Sequence, residues 1–153
     1  MATNNNSNLE DITFLVLDDS GGDRRIIGEA LSVHGAKNVK LFGDGRELKN
    51  YLNGGENDLE EGEKYNPEKK YALISDTDMP REQGPEIGSY IRDKYPKIKI
   101  VAMSGRDTAY KDWSKVNPDV FFRKPCDFAE LDRIMKETIS FLEFQSRYSV
   151  KDN

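Results

Sequence analysis

Four short apolar runs in this chain end on residues that can do chemistry. Tyr71-Ala72-Leu73-Ile74-Ser75 runs into Asp76, and Thr77-Asp78-Met79-Pro80 follows. Phe14-Leu15-Val16-Leu17 runs into the acidic pair Asp18-Asp19. Ile100-Val101-Ala102-Met103 ends on Ser104-Gly105, and Val120-Phe121-Phe122 passes through Arg123 to Lys124-Pro125. Such runs read as buried strands, and Pro80 stops the central one from continuing as regular structure. In an open parallel sheet the carboxyl ends of the strands border the ligand crevice. If the four runs share one sheet, three acids, a hydroxyl and an ammonium converge on one edge. Two carboxylates about 4 Å apart repel by roughly 4 kcal/mol at an effective dielectric near 20, so Asp18, Asp19 and Asp76 call for a cation or an altered protonation state. Mg2+ is the natural candidate. It takes oxygen ligands, keeps several waters and is held by one or two carboxylates together with a phosphate.

The elements that must position these residues alternate regularly. A strand near Ile12 to Leu17 precedes a helix over Asp23 to Val33, which carries Ile27, Ala30 and Leu31 on one face and stops at Gly35. Val39 to Phe42 reads as a second strand, and Asp44-Gly45-Arg46-Glu47 as a variant capping box opening a helix that ends by Gly54. After the central strand come a helix over Pro85 to Lys94, a strand over Lys99 to Met103 and a short helix around Ala109 to Val116. A strand near Val120 to Arg123 leads to a long final helix striped by Leu131, Ile134, Met135, Thr138 and Leu142. Five strands alternating with helices favour parallel βαβ units with right-handed crossovers and helices on both faces.

The bulk properties narrow the function classes. At 153 residues the chain suits one domain with a real core, without room for a second catalytic or DNA-binding domain. Its net charge of -5 leaves no strongly basic face for a phosphate backbone, so direct nucleic-acid binding is not expected. No run is long enough to span a membrane and no signal-peptide pattern opens the chain, so a soluble cytoplasmic protein without membrane association is expected. Cys126 and His34 are the only residues of their types, which argues against a disulfide, a thiolate zinc site or a Ser-His or Cys-His dyad. Cys126 reads as structural, and His34 as a surface residue near a helix C-terminus.

In order and spacing these motifs resemble the response-regulator receiver domain, the CheY-like phosphoacceptor of two-component signalling, from about Ile12 to Phe144. The resemblance implies a flavodoxin-like, doubly wound α/β fold with a five-stranded parallel sheet in the order 2-1-3-4-5. It also implies that Asp76 is the phosphoacceptor, a nucleophile forming an aspartyl phosphate. Mg2+ is then held by Asp19, Asp76 and the backbone carbonyl of Asp78, with Asp18 assisting through water. Lys124 and the metal offset charge on the phosphoryl oxygens, and Lys124-Pro125 is a cis peptide, as is typical of the family. Ser104 is the switch hydroxyl, whose bond to the phosphoryl group lets the aromatic residue Phe121 turn inward. Phe121 reads equally as an ordinary core aromatic. Asp78, paired with Arg106, is a candidate modulator of phosphoryl lifetime. The implied partners are a histidine kinase or histidine phosphotransferase and a downstream protein target, with a possible homodimer through the fourth and fifth helices. Outside its own phosphorylation and dephosphorylation the chain is not expected to be an enzyme.

This gives residues 1–10 as a disordered N-terminal segment, 11–145 as the receiver domain and 146–153 as a tail. The stretch 54–70, rich in Gly, Glu, Asn and Lys, is a longer loop than the family has at this point; it reads as a surface elaboration or a partner-docking segment. Phe141, Phe144 and Tyr148 extend an aromatic face toward the C-terminus that either covers core or helps form a dimer or partner surface, with Phe141 read as core and Tyr148 left open. Two other readings compete. Asp76-Thr77-Asp78 matches the DxD motif of haloacid-dehalogenase-like phosphatases, but there the DxD strand comes first, whereas Asp18-Asp19 precede it here. A pseudo-receiver keeps the fold and loses phosphorylation, usually with loss of an acid, the hydroxyl or the lysine; none is missing here.

Overall fold

The computed structural model describes residues 10–54, 64–125 and 127–148, with side chains to residue 145. Five parallel strands, β1 (Ile12–Leu17), β2 (Asn38–Phe42), β3 (Lys70–Asp76), β4 (Lys99–Ser104) and β5 (Val120–Arg123), form one sheet in the order β2-β1-β3-β4-β5. Four helices, α1 (Gly21–Val33), α2 (Gly45–Leu52), α3 (Gly84–Lys94) and α4 (Phe128–Tyr148), flank it, and the expected doubly wound α/β fold is the one found. The segments expected to be disordered or inserted fall largely outside the described residues, as does Cys126.

Alternation along the strands sorts the core into two layers. Phe14, Val16, Ile74, Val101 and Met103 face α1 and α4, meeting Ile27, Leu31, Leu131 and Met135. Leu15, Leu17, Leu73, Ile100 and Ala102 face the other way, onto α2 and α3 through Leu48, Leu52, Ile87 and Ile91. Because β1 and β3 are buried on both faces, they read in the sequence as continuous apolar runs, not as alternating ones.

Local signals fix the helix ends. Ser20 caps α1, its Oγ accepting from the Asp23 N–H at 3.3 Å. Gly35 has a φ of 102°, as a C′ residue requires. In the capping-box variant, Asp44 Oδ1 accepts from the Glu47 N–H at 2.9 Å, while Glu47 Oε2 reaches one residue further back, to the Gly43 N–H at 2.8 Å. Asp127 Oδ1 caps α4 through the Glu130 N–H at 2.8 Å.

Three expectations change. The crossover between β4 and β5 is not an α-helix over Ala109 to Val116 but a short 3-10 turn, Asp107–Lys111, followed by irregular chain. Two anchors replace helical periodicity there: Ala109 and Trp113 are buried, and Arg92 of α3 holds the Val116 and Asn117 carbonyls at 3.1 and 2.9 Å. Phe141 is 42 % exposed because Leu131, Met135, Ile139 and Leu142 define the buried face of α4 and Phe141 falls beside it. His34 is half-buried, bridging α1 to α4 through Asp132 Oδ1 at 2.8 Å. Just before β3, Tyr65 packs between Tyr71 and Tyr95, with ring centroids 4.9 and 5.1 Å away.

Candidate functional site

The sheet brings four strand ends together. Asp76 is the last residue of β3, Ser104 the last of β4, Asp18 follows β1 and Lys124 follows β5. Paired register places Asp76 beside Met103 and Ser104 beside Arg123, so the functional positions lie level at the carboxyl edge. Asp18 is fully buried, Asp76 nearly so, and Asp19 is exposed. Carboxylate oxygens of the three lie within 4.8 Å of one another. Asp18, Asp19, Asp76, Ser104 and Lys124, all candidates on sequence grounds, come together at this edge.

Lys124 neutralises part of this charge. Its Nζ is 2.8 Å from Asp18 Oδ2, 3.0 Å from Asp23 Oδ2 and 3.3 Å from Asp76 Oδ2. Burial opposes the ammonium, but Asp18, Asp23 and Asp76 outweigh it and hold its pKa above the ordinary lysine value. Asp76 goes the other way: burial, then the charge of Asp18, pushes its carboxyl up to about 6, against the pull of Lys124 and of the Thr77 N–H, which donates to Asp76 Oδ1 at 2.9 Å. The ammonium therefore does not fully offset the acids. Asp18 Oδ2 is buried, lies 2.8 Å from the ammonium and makes no well-aligned hydrogen bond. A cluster of hard oxygen donors with residual negative charge and an under-satisfied buried oxygen fits a divalent cation of the Mg2+ type.

The raised Asp76 pKa has a consequence for stability in metal-free protein. Between the ordinary carboxyl value of 3.8 and about 6, the native chain binds this proton more tightly than the unfolded chain does. The associated stabilisation is complete at acid pH and is lost as pH rises through about 6. Asp76→Asn is therefore expected to stabilise the protein at pH above about 7, by on the order of 3 kcal/mol, with the gain vanishing near pH 4. Denaturant melts of both proteins in chelator check this; a pH-independent difference contradicts it.

The chain behind Asp76 is built to hold it. The Gly84 N–H donates to the Thr77 carbonyl at 2.8 Å, folding the β3–α3 loop back on itself. A Cβ at Gly84 would lie 2.0 Å from the Asp76 carbonyl oxygen and 2.8 Å from the Trp113 ring, so only glycine allows this approach. Thr77 is fully buried; its hydroxyl donates to the Met103 carbonyl at 2.7 Å and accepts from Trp113 Nε1 at 2.8 Å. Asp78 faces outward into a bidentate pair with Arg106, at 2.8 and 2.9 Å, and Arg106 also reaches Asp112 at 2.7 Å. The guanidinium holds the Asp78 carboxyl below the usual range. The buried Ser104 Oγ accepts from the Arg106 N–H at 3.0 Å, and Phe121 is half-buried against the α2–α3 side of the core. Among the described residues there is no cis peptide bond, so Lys124-Pro125 is trans here, unlike the expectation.

Asp23, Thr77 and Trp113 were not assigned to the site from sequence. An acid in the first turn of a helix is ordinary, and Trp113 lies in a stretch without helical period.

A five-stranded parallel sheet in this order, with an acid cluster, a hydroxyl and a lysine at its carboxyl edge, defines a doubly wound α/β module with a polar crevice at its strand ends. The family model for the response regulator receiver domain matches residues 14–136, and the chain belongs to that family. Among solved structures it is similar to the phosphorylated cyanobacterial phytochrome response regulator RcpA, with 19% identity, 84% of this chain and 91% of that one covered, and a TM-score of 0.69. It is also similar to TrrA of Thermotoga maritima in complex with Mg2+ and BeF, at 25% identity, 82% and 96% coverage and a TM-score of 0.61. The chemotaxis regulator CheY4 of Vibrio cholerae matches at 22% identity, 82% and 97% coverage and a TM-score of 0.62. No curated protein matches the chain in sequence. Among the described residues no helix is long and apolar enough to cross a membrane.

Proposed function

We propose that this chain is a cytoplasmic phosphoacceptor that takes a phosphoryl group on Asp76 from a phosphohistidine of a histidine kinase or phosphotransferase, or from a small acyl phosphate, in a Mg2+-dependent step. The observation that carries this reading is the convergence of Asp18, Asp19 and Asp76 within 4.8 Å, with Lys124 in contact and Ser104 level with them. An Asp76 carboxylate oxygen attacks phosphorus, and the donor's P–N or P–O bond breaks with the electron pair leaving on the donor. Asp19, Asp76 and the Asp78 carbonyl are the residues to hold Mg2+, with Asp18 acting through water; the cation's chemistry is charge neutralisation on the phosphoryl oxygens. Lys124 stabilises the same charge from the other side. Hydrolysis of the aspartyl phosphate returns inorganic phosphate, so the chain catalyses only its own modification.

Ser104 gives the switch its first movement. Its Oγ accepts from the Arg106 N–H and keeps an O–H to donate to a phosphoryl oxygen, so a phosphoryl group that draws Ser104 inward pulls with it the segment pinned through Arg106 to Asp78. Phe121 is half-buried and can follow. With a 3-10 turn in the crossover, a homodimer through the fourth and fifth helices would have to use this segment together with β5 and α4, whose Phe141 and Phe144 are exposed. A downstream protein is the other occupant of the same face.

Asp78→Asn removes a negative charge beside the phosphoryl group and releases Arg106 toward it. The aspartyl-phosphate half-life is expected to lengthen about threefold, consistent with one exposed charge pair. Equal decay rates in the two proteins would remove Asp78 from the mechanism.

Trp113, the only tryptophan, donates to Thr77, whose N–H holds Asp76, so its fluorescence is the direct test. Mg2+ followed by acetyl phosphate is expected to shift the emission in two steps, with the second step lost in Asp76→Asn. A wild-type protein that shows neither step counts against the reading.

A further inference from the structure

Lys124 divides its charge among three carboxylates, and one of them lies outside the acid cluster. Asp23 is on the first turn of α1, where the Ser20 cap fixes its backbone, and its side chain is 47% exposed. Lys124 Nζ donates a hydrogen bond to Asp23 Oδ2 at 3.0 Å, whereas its contact with Asp76 is the longest of the three, at 3.3 Å. Asp23 and Lys124 also share the wall of a cavity of about 230 Å3 between α1, β5 and α4, lined by Ile27, Phe122 and Leu131. The ammonium is thus held more closely by Asp18, at 2.8 Å, and by Asp23 than by Asp76.

We propose that Asp23 is a positioning residue that holds Lys124 partly off Asp76 in the unphosphorylated protein, so that an incoming phosphoryl group gains the ammonium only by displacing Asp23. The inference rests on the phosphoacceptor reading. A lysine ammonium is a compact point charge on a flexible stem, so full contact with a new anion weakens its contacts with the old ones. Asp18 is fully buried and cannot be left uncompensated cheaply, whereas Asp23 can return to water. Asp23 is therefore the partner given up. Phosphorylation then frees a carboxylate at the start of α1, beside the cavity mouth.

The test compares Asp23→Asn with Asp23→Glu and with Asp127→Asn. Asp127 lines the same cavity and makes no contact with Lys124 in the ion pairs and hydrogen bonds of the described residues; asparagine keeps its α4 cap. In metal-free protein, the Lys124 side-chain resonances (13Cε and 15Nζ) are expected to shift in Asp23→Asn, to return in Asp23→Glu and to stay fixed in Asp127→Asn. With Mg2+ and sub-saturating acetyl phosphate, Asp23→Asn is expected to be phosphorylated about two- to fivefold faster, the range of an exposed ion pair. Asp127→Asn, with the same charge change, is expected to match wild type. An unmoved Lys124 signal in Asp23→Asn overturns the proposal, as does equal acceleration by Asp127→Asn. A drop of more than about tenfold in the Mg2+ affinity of Asp23→Asn also overturns it, because it would assign Asp23 to the metal. If wild type takes no phosphoryl group, the phosphoacceptor reading fails by itself, and the metal-free resonances still decide the contact.

Discussion

Lys124→Met is expected to lose about 3 kcal/mol of stability in metal-free protein at about pH 8, the lower end of the range for breaking a buried ion pair, since Lys124 is partly exposed. The substitution keeps the aliphatic stem and removes the ammonium that pairs with the carboxylates of both Asp18 and Asp76. Two carboxylates are then left facing each other in the interior. Asp76, whose pKa burial and Asp18 already raise, loses the ammonium that pulls it down, so the native chain binds its proton more tightly than the unfolded one and the deficit shrinks as pH falls toward about 5. Mg2+ at about 100 times its Kd should restore about 2.7 kcal/mol, by binding the native site alone. Phosphorylation of the Mg2+-loaded variant should nevertheless remain about 100- to 1000-fold slower, because the charge stabiliser for the phosphoryl oxygens is gone. Denaturant melts in chelator and in Mg2+ at two pH values separate the structural loss from the chemical one. A deficit that ignores both pH and Mg2+ contradicts the electrostatic account.

Trp113→Ala is expected to cost about 3–5 kcal/mol, as large aromatic truncations in packed cores do. Trp113 is 1% exposed and fills the space left by the missing side chains of Gly84 and Gly88. Its indole N–H also bonds the hydroxyl of Thr77, one residue from the phosphoacceptor. Trp113→Phe separates the two roles. It keeps most of the ring volume and removes the donor, so about 1 kcal/mol is expected from the lost hydrogen bond. If Trp113→Phe costs as much as Trp113→Ala, the hydrogen bond to Thr77 matters more than the packing, contrary to this assignment.

The site was legible in the sequence to the extent that its residues terminate strands. Asp18, Asp76, Ser104 and Lys124 each follow an apolar run, and a buried parallel strand leaves that run as its mark. Strand order was not written in periodicity and came from the family resemblance, which the sheet bears out. What remained hidden depends on contacts between distant segments. Asp23 meets Lys124 across 101 positions, and in the sequence it is indistinguishable from an acid favoured at any helix start. Trp113 belongs to a crossover held by single anchors to α3 and to Thr77, a pattern with no period to read. Phe141 was misplaced for a simpler reason: in a long helix an aromatic one position off the stripe projects about 100° away from it.

A phosphoacceptor role for Asp76 requires a divalent cation and the Asp76 carboxylate together. The direct measurement is the intact mass of the protein after incubation with acetyl phosphate, with and without Mg2+, beside Asp76→Asn. The account expects a single phosphoryl adduct on the wild-type chain in Mg2+ alone, absent without the metal and absent in Asp76→Asn. An adduct that persists in Asp76→Asn, or no adduct and no released phosphate in Mg2+, would contradict it.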